Sequence, residues 1–278
     1  MEELSKTLQR LIHLKAENNV ELLVFLDGCN DGSSQLLEKY PQVLWHVSHK
    51  NIGASPARRK LYNQARGEII FGFDDDAHPL NANFIELTQR IFTKNQTIGV
   101  KGIFEKDPEA MEQHVPNEEF LCNSFVGCGF AIRREVYNKT DGFPDWMDIY
   151  GEEGAVSIQV IENGYDILYT SQISINHRVN KVNRKMGGSN VFRFQRQLCN
   201  MGLYYLVFYP IHLLPKKLIK LYWHNLKKYA FIDINYFSAY FGGLSSFIKK
   251  LPKALSSRKT VKKNTIEKLK RLPNPKYG

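Results

Sequence analysis

The sequence predicts an α/β fold: a mostly parallel sheet flanked by helices, followed by a helical, amphipathic and basic C-terminal tail. Three observations predict it. Short apolar runs alternate with stretches of helical length as far as Tyr169, the pattern of strands joined by crossover helices. Two acidic turns, at Asp27 and at Asp74-Asp75-Asp76, each close an apolar run, and ligands of such sheets bind beyond the carboxyl ends of the strands. Near Val191 the composition shifts, and aromatic and basic residues take over.

The elements follow in order. Glu2–Ala16 places Leu4, Leu8, Leu11, Ile12 and Leu14 near helical spacing. Glu21–Leu26 is a short strand ending in Asp27-Gly28-Cys29-Asn30-Asp31-Gly32-Ser33. Ser33–Lys39 is helical, Val43–Val47 a strand and Ser55–Ala65 a helix. Glu68–Phe73 is an apolar strand that runs into the three aspartates. A helix over Asn83–Thr93, a strand near Ile98–Phe104 and a loop-rich stretch to Glu119 come next. Phe125–Arg133 is apolar and glycine-containing, a strand beside the site. Gly154–Asn163 is a helix with Gly164 as its C-cap, before a strand over Asp166–Tyr169. The chain divides into a catalytic body, residues 1–190, and a helical basic region, residues 191–278.

A chain of 278 residues buries one sizeable α/β core with an appendage. Its hydrophobic fraction of 43% and aromatic fraction of 12% describe an ordered globular protein. The four cysteines, Cys29, Cys122, Cys128 and Cys199, form no CxxC pair; this argues against a zinc site or disulfide framework and fits a reducing cytoplasm. Met1–Arg10 is polar and helical, unlike a signal peptide. The net charge of +10 is unevenly spread: from Ile211 onward 16 Lys and Arg face only Asp233 and Glu267. The preceding residues carry a slight acidic excess, so the tail alone seeks an anionic partner.

Three adjacent carboxylates at a strand end repel one another unless a cation sits among them. Asp74 and Asp76, flanking Asp75, offer hard oxygen ligands suited to Mg²⁺ or Mn²⁺. Such a metal bridges a diphosphate and neutralises charge on a leaving group. The alternative is a solvated acidic turn.

The neighbouring segments decide between them. His49-Lys50-Asn51-Ile52-Gly53-Ala54-Ser55-Pro56-Ala57-Arg58-Arg59, then Ala65-Arg66-Gly67-Glu68-Ile69-Ile70, then Asp74-Asp75-Asp76 resembles the family 2 glycosyltransferases of the GT-A fold. Their pattern is N-x-G-x-x-x-A-R, A-x-G-E, a hydrophobic strand and D-x-D. The Asp27–Ser33 turn is similar to the family's D-D-G-S-x-D-G-S, with Leu26 at its first Asp. Gly142-Phe143 through Tyr150-Gly151-Glu152-Glu153 is similar to its G-G-F and G-E-D. The resemblance covers about residues 21–180.

It implies a GT-A-like, inverting, metal-dependent hexosyl transfer from a nucleotide-sugar donor to an acceptor hydroxyl. Asp27 would bind the nucleobase and Arg58 the nucleotide. Asp74, Asp75 and Asp76 would face the sugar diphosphate and metal, with Asp76 the direct ligand. Glu153, or its neighbour Glu152, would be the general base. His177 sits at the family's terminal Y-H or N-H motif, where a histidine completes the metal site; a structural role is the alternative. Trp146 and Asp148 would line the acceptor pocket, Trp146 by stacking on a sugar face, unless it is a core residue. The chain departs from the pattern in reading Glu-Glu for Glu-Asp, in Ala155 two places later, and in starting within the helix after the family's first strand. Either the start is truncated or another segment fills that slot.

Tyr204–Leu214 is too short to cross a bilayer, and Tyr229–Ile248 is interrupted by Asp233, Asn235 and Gly242-Gly243. The tail interleaves Phe, Tyr, Trp223 and Leu with Lys216-Lys217, Lys227-Lys228 and Lys249-Lys250, which suits an anionic membrane interface. A helical bundle packed on the body, or a nucleic-acid surface, are the rival readings; no nucleic-acid partner is expected. Lys259–Arg271 is expected to fray as a basic extension. The whole reads as a cytoplasmic enzyme, peripheral to the inner membrane face, that builds a cell-surface polysaccharide or glycolipid. A nucleotidyltransferase would open with a Gly-rich phosphate loop, which is absent. A catalytically impaired, membrane-associated nucleotide-sugar-binding module is the alternative. The loops expected to choose donor and acceptor are Glu105–Asn123 and Arg178–Asn190.

Overall fold

The computed structural model describes residues 1–14, 19–106, 118–178 and 189–276. Most of both specificity loops, at 107–117 and 179–188, lies outside the described residues. Helix α1 (Glu2–Leu11) buries the stripe Leu4, Leu8 and Leu11. Strands β1 (Leu23–Asp27) and β2 (Leu44–Ser48) follow, then helix α2 (Ala54–Gln64), β3 (Ile69–Phe73), β4 (Ala77–Pro79) and α3 (Phe84–Lys94). Strands β5 (Ile98–Lys106), β6 (Glu119–Leu121) and β7 (Gly129–Arg133) lead to α4 (Glu152–Glu162) and the long β8 (Asp166–His177). The C-terminal layer is α5 (Ser189–Phe208), α6 (Leu214–Asn225), a π-helical turn at Leu226–Ala230, α7 (Ile234–Ser256) and α8 (Lys263–Arg271).

The fold is the expected α/β sheet flanked by helices, with one difference in strand direction. β1 and β2 pair in parallel as a separate ribbon, and β5 runs parallel to β8. The larger sheet has the order β3-β7-β5-β8-β4, with β6 also on β8, and its remaining ladders are antiparallel. The sheet is therefore mixed and not mostly parallel. The physical reason is that an apolar run encodes burial on both faces and says nothing of direction. β7 slots between β3 and β5 with four of its five residues buried.

Among the described residues no strand joins β1 to β3, so each keeps one edge unpaired. Other contacts hold the two sheets together. Leu4 and Leu8 of α1 pack with Leu26 of β1, while Leu11 packs with Ala77, Phe84 and Ile173 on the larger sheet. The Glu21 carboxylate accepts the backbone N–H groups of Arg66 (2.5 Å) and Gly67 (3.0 Å), tying the start of β1 to the start of β3.

Under the sheet, Tyr62, Phe130, Tyr137 and Phe143 form an aromatic core with Val156 and Val160 of α4. The other side of α4, through Ala155 and Ile158, shares a second core with Cys199, Leu203 and Val207 of α5. The C-terminal helices are thus packed onto the body. The residues after Lys259 do not fray. Val261 and Ile266 are buried, Thr265 Oγ1 donates to Glu162 (2.5 Å), and Lys268 Nζ donates to Asp166 (2.6 Å). Periodic Ile266 and Leu269 give α8 an apolar face to dock, which outweighs its basic composition.

Candidate active site

The loops at one rim of the sheets converge on a cluster of carboxylates. Asp27, ending β1, accepts the backbone N–H groups of Ile52 (2.7 Å) and Gly53 (2.8 Å), which fixes the loop entering α2. Gly53 has φ +96°, and a Cβ there would lie 2.7 Å from the Asp148 carbonyl oxygen, so only glycine fits this approach. Two of the four lone-pair directions of Asp27 remain for a further donor.

One turn into α2, the half-buried Arg58 points at three carboxylates. Its Nη2 donates to Asp74 Oδ1 (2.5 Å) and to the Gly127 carbonyl (3.1 Å). Its Nη1 donates to Glu152 Oε1 (3.3 Å) and lies 3.7 Å from Glu153 Oε1. Burial opposes the guanidinium charge, but Asp74, Glu153 and Glu152 more than offset it and raise the net pKa. Arg58 therefore bridges the first aspartate to the glutamate pair, a link that the linear motifs do not reveal.

The glutamates open α4, where the helix N-terminus favours negative charge. Tyr150 at φ +71° and Gly151 at φ +105° turn the chain into it. Glu152 is 2% exposed, and its Oε2 has no hydrogen-bond partner among the described residues. Burial, then the adjacent Glu153, push its carboxyl up to about 8, against the pull of Arg58. Glu153 is raised in the same direction, also chiefly by burial, yet 23% of its side chain reaches solvent. Gly127 leaves the room that Glu153 occupies, because a Cβ there would overlap Oε1.

At the end of β3, the turn Asp74–Asp76 leads to β4, whose pairing places Ala77 opposite His177. That register brings the buried His177 Nε2 within 3.2 Å of Asp76 Oδ1. Burial works against ionising Asp76, and the His177 hydrogen bond and charge outweigh it, so its pKa is lowered. Asp75 is raised by burial and then by Asp76 and Asp74. One ligand atom each from Asp74, Asp76 and His177 lie within 4.8 Å of one another. Two carboxylate oxygens and an imidazole nitrogen at that separation fit a divalent cation.

Of the two residues expected at the acceptor pocket, Trp146 takes the core alternative and Asp148 is ion-paired. Trp146 is 3% exposed and packs with Phe208 and Leu203 in the second core, so its ring is not presented for stacking on a sugar. Asp148 is held by Arg196 (3.0 Å) and Lys250 (3.2 Å). Burial disfavours its charge, and those two cations lower its pKa overall. It is a strut between the site loop and the C-terminal helices. Sequence reasoning missed Asn200, whose Nδ2 donates to the carbonyls of Ile149 (2.8 Å) and Tyr150 (2.9 Å). It sits 50 residues away on α5, with no local signal.

With this geometry in hand, the likeness to known proteins is specific. A profile of the family described as Glycosyl transferase family 2 matches residues 2–144. The chain belongs to this family. The transferase is also similar to solved structures across nearly its whole length, at identities that speak for the fold alone. Mannosyltransferase PcManGT from Pyrobaculum calidifontis, in complex with GDP-Man and Mn²⁺, aligns with TM-score 0.57 and 14% identity, over 96% of this chain and 74% of that one. TarS 1-349 from S. aureus gives TM-score 0.55 and 15% identity, over 92% and 80%. GalNAc-T7 with UDP, GalNAc and Mn²⁺ gives TM-score 0.61 and 15% identity, over 90% of this chain but about half (53%) of that one. An uncharacterized protein of Haemophilus influenzae is 25% identical over 148 residues, 46% of this chain and 78% of its own length. These likenesses support the GT-A-like α/β architecture.

Proposed function

We propose that the transferase moves a hexose from a nucleoside-diphosphate sugar to an acceptor hydroxyl with inversion, using a divalent metal. The observation that carries this is the convergence of Asp74, Asp76 and His177 with Glu152 and Glu153 around Arg58. Asp74, Asp76 and His177 would hold the metal, which when bound neutralises charge on the departing diphosphate. The donor nucleotide falls against Asp27 and the loop before α2. Glu153, the more accessible glutamate, takes the acceptor proton as the acceptor oxygen bonds to the anomeric carbon. The bond from that carbon to the phosphate oxygen breaks, and its electron pair leaves with the nucleoside diphosphate. One displacement inverts the carbon. Arg58 favours the charged form of Glu153, and Asp75 supports the turn.

The acceptor belongs to a cell-surface polysaccharide or glycolipid, and the basic tail holds the enzyme against the inner membrane face. Support for this placement is the tail's charge and its exposed apolar residues. Among the described residues no helix is long and apolar enough to cross a membrane.

Calorimetric titration with UDP, GDP and dTDP, with and without Mn²⁺, tests the reading. Metal-dependent binding of one of them, weakened at least ~10-fold in Asp76→Ala, is the expected result. No nucleotide binding at millimolar levels would overturn the donor reading, and nucleotide binding without turnover would favour the impaired binding module, a reading that the unpaired edges of β1 and β3 also support.

A further inference from the structure

Beside the glutamate pair, the first turns of α5 and the loop before α4 build an aromatic and guanidinium cluster that the transfer chemistry does not use. The Tyr150 ring meets Phe192 edge-on at 6.4 Å. The Arg193 guanidinium lies over the Tyr150 ring at 4.7 Å, and that of Arg196 over Phe192 at 4.8 Å. The two arginines differ in what else they touch. Arg196 is anchored to Asp148 (3.0 Å). Arg193 is exposed and, among the described residues, has no carboxylate at ion-pair distance. Phe192 is 46% exposed, while Phe194, two residues on and on the opposite face of the helix, is buried.

We propose that this cluster is the acceptor subsite and that it selects an anionic saccharide, one carrying a phosphate or a carboxylate. The proposal rests on the transferase reading above and names the substrate class of that site. Aromatic faces take the C–H faces of a sugar, and a guanidinium takes a phosphate or carboxylate in a bidentate pair. Tyr150 and Phe192 supply the first, and Arg193 the second. Tyr150 is separated from Glu152 by Gly151 alone, so a sugar stacked there brings a hydroxyl toward the glutamates. Arg193 is near enough to act electrostatically on the Glu153 carboxyl. Stacking on Tyr150 also holds the planar guanidinium in one orientation, reducing the ordering cost of a bidentate contact.

The test is calorimetric binding of maltose, maltose 1-phosphate and digalacturonate to the full chain in EDTA, so that no cation at the aspartates captures the phosphate. At least one anionic ligand should bind about tenfold tighter than maltose, and the preference should shrink below about twofold in Arg193→Gln while Arg193→Lys keeps part of it. A thermal melt of Arg193→Gln matching that of the unaltered chain shows that its fold is intact. A preference for phosphate alone or for uronate alone identifies the source of the charge. Equal affinity for all three, a preference that survives Arg193→Gln, or no binding of either anion at ~10 mM overturns the proposal. Nucleotide titration of the unaltered chain is read separately, so failure of donor binding and failure of acceptor selection remain distinguishable.

Discussion

Arg58 shares one guanidinium among Asp74, Glu152 and Glu153, and its charge opposes the rise of both glutamate carboxyls. Glu152 is buried and its carboxyl is pushed up to about 8. An acid whose folded pKa lies above its unfolded value favours folding fully below the unfolded pKa, near 4.5, and loses that contribution as pH rises through about 8. Stability should therefore decline across that window. Glu152→Gln, which keeps an acceptor for Arg58 without an ionisable carboxyl, should flatten the decline. Urea unfolding should find the variant more stable than the parent at pH 8 by roughly 2–4 kcal/mol, and little different at pH 5. Kinetics separates the two roles. With Glu153 as base, Glu153→Gln lowers kcat by about a thousandfold. Glu152→Gln then keeps activity and leaves the rising limb of kcat/KM in place below about pH 8, because Glu152 is still protonated there and holds no charge against Glu153. The reverse pattern would make Glu152 the base. At this scale the acidic turn, Arg58 and the glutamate pair were legible because local motifs encode them. Tyr150, Arg193 and Asn200 were not, because what brings them to the site is packing between segments far apart in the chain.

The loop between Pro144 and Gly151 carries no regular structure, yet it is fixed from both sides. Ser55 of α2 donates its N–H to the Asp148 carbonyl (3.0 Å) and its hydroxyl to the Pro144 carbonyl (2.6 Å). From the other side, Asn200 of α5 donates to the Ile149 and Tyr150 carbonyls, and Lys250 of α7 joins Arg196 on Asp148. A non-glycine residue at positive φ persists only where its surroundings over-determine it, and Tyr150 is such a residue. Asn200→Ala strands two carbonyls and should cost about 1–3 kcal/mol in unfolding free energy. Because the loop aims the glutamates and not the nucleotide, kcat should fall while the nucleotide dissociation constant stays within about twofold. A loss of nucleotide affinity equal to the loss of kcat would refute this division of labour. Element order was legible from alternating periodicity, as was the end of α4, where Gly164 takes φ +85° just past the helix. Strand direction, the full length of β8 and the docking of α8 were not, since each depends on a partner surface that the local pattern does not specify.

Across the whole molecule, charge and apolar exposure are segregated together. Ten of the sixteen large hydrophobic side chains exposed among the described residues lie from Ile211 onward, where the charge is strongly positive. On α7, Ile234, Phe237, Phe241, Ile248 and Leu255 recur at helical spacing along one exposed stripe. The turn before it exposes Phe231 and Ile232, the latter at 78%, just after Lys227 and Lys228. A solvated bundle would turn these residues inward; here the inward faces are already filled by Tyr240, Gly243 and Ala254. Burying Phe231 and Ile232 in an interface would contribute about 1.5–3 kcal/mol each, and each nearby lysine about 1 kcal/mol at an anionic surface. Vesicle flotation should therefore recover the full chain with phosphatidylglycerol-containing vesicles and not with pure phosphatidylcholine. The double change Phe231→Ser and Ile232→Ser should weaken recovery by at least about a hundredfold in partition coefficient, and Lys227→Glu with Lys228→Glu should weaken it too and leave what remains less sensitive to added salt. All four positions are exposed, so the fold should tolerate both pairs. Undiminished flotation of both variants would mean that the stripe covers something other than lipid. The position of the stripe gives the result its functional weight. α5 and α7, which carry Arg196, Asn200 and Lys250 to the site loop, belong to the layer that would rest on the membrane. A lipid-bound tail then holds the glutamates at a fixed height above the bilayer, within reach of an acceptor anchored in it.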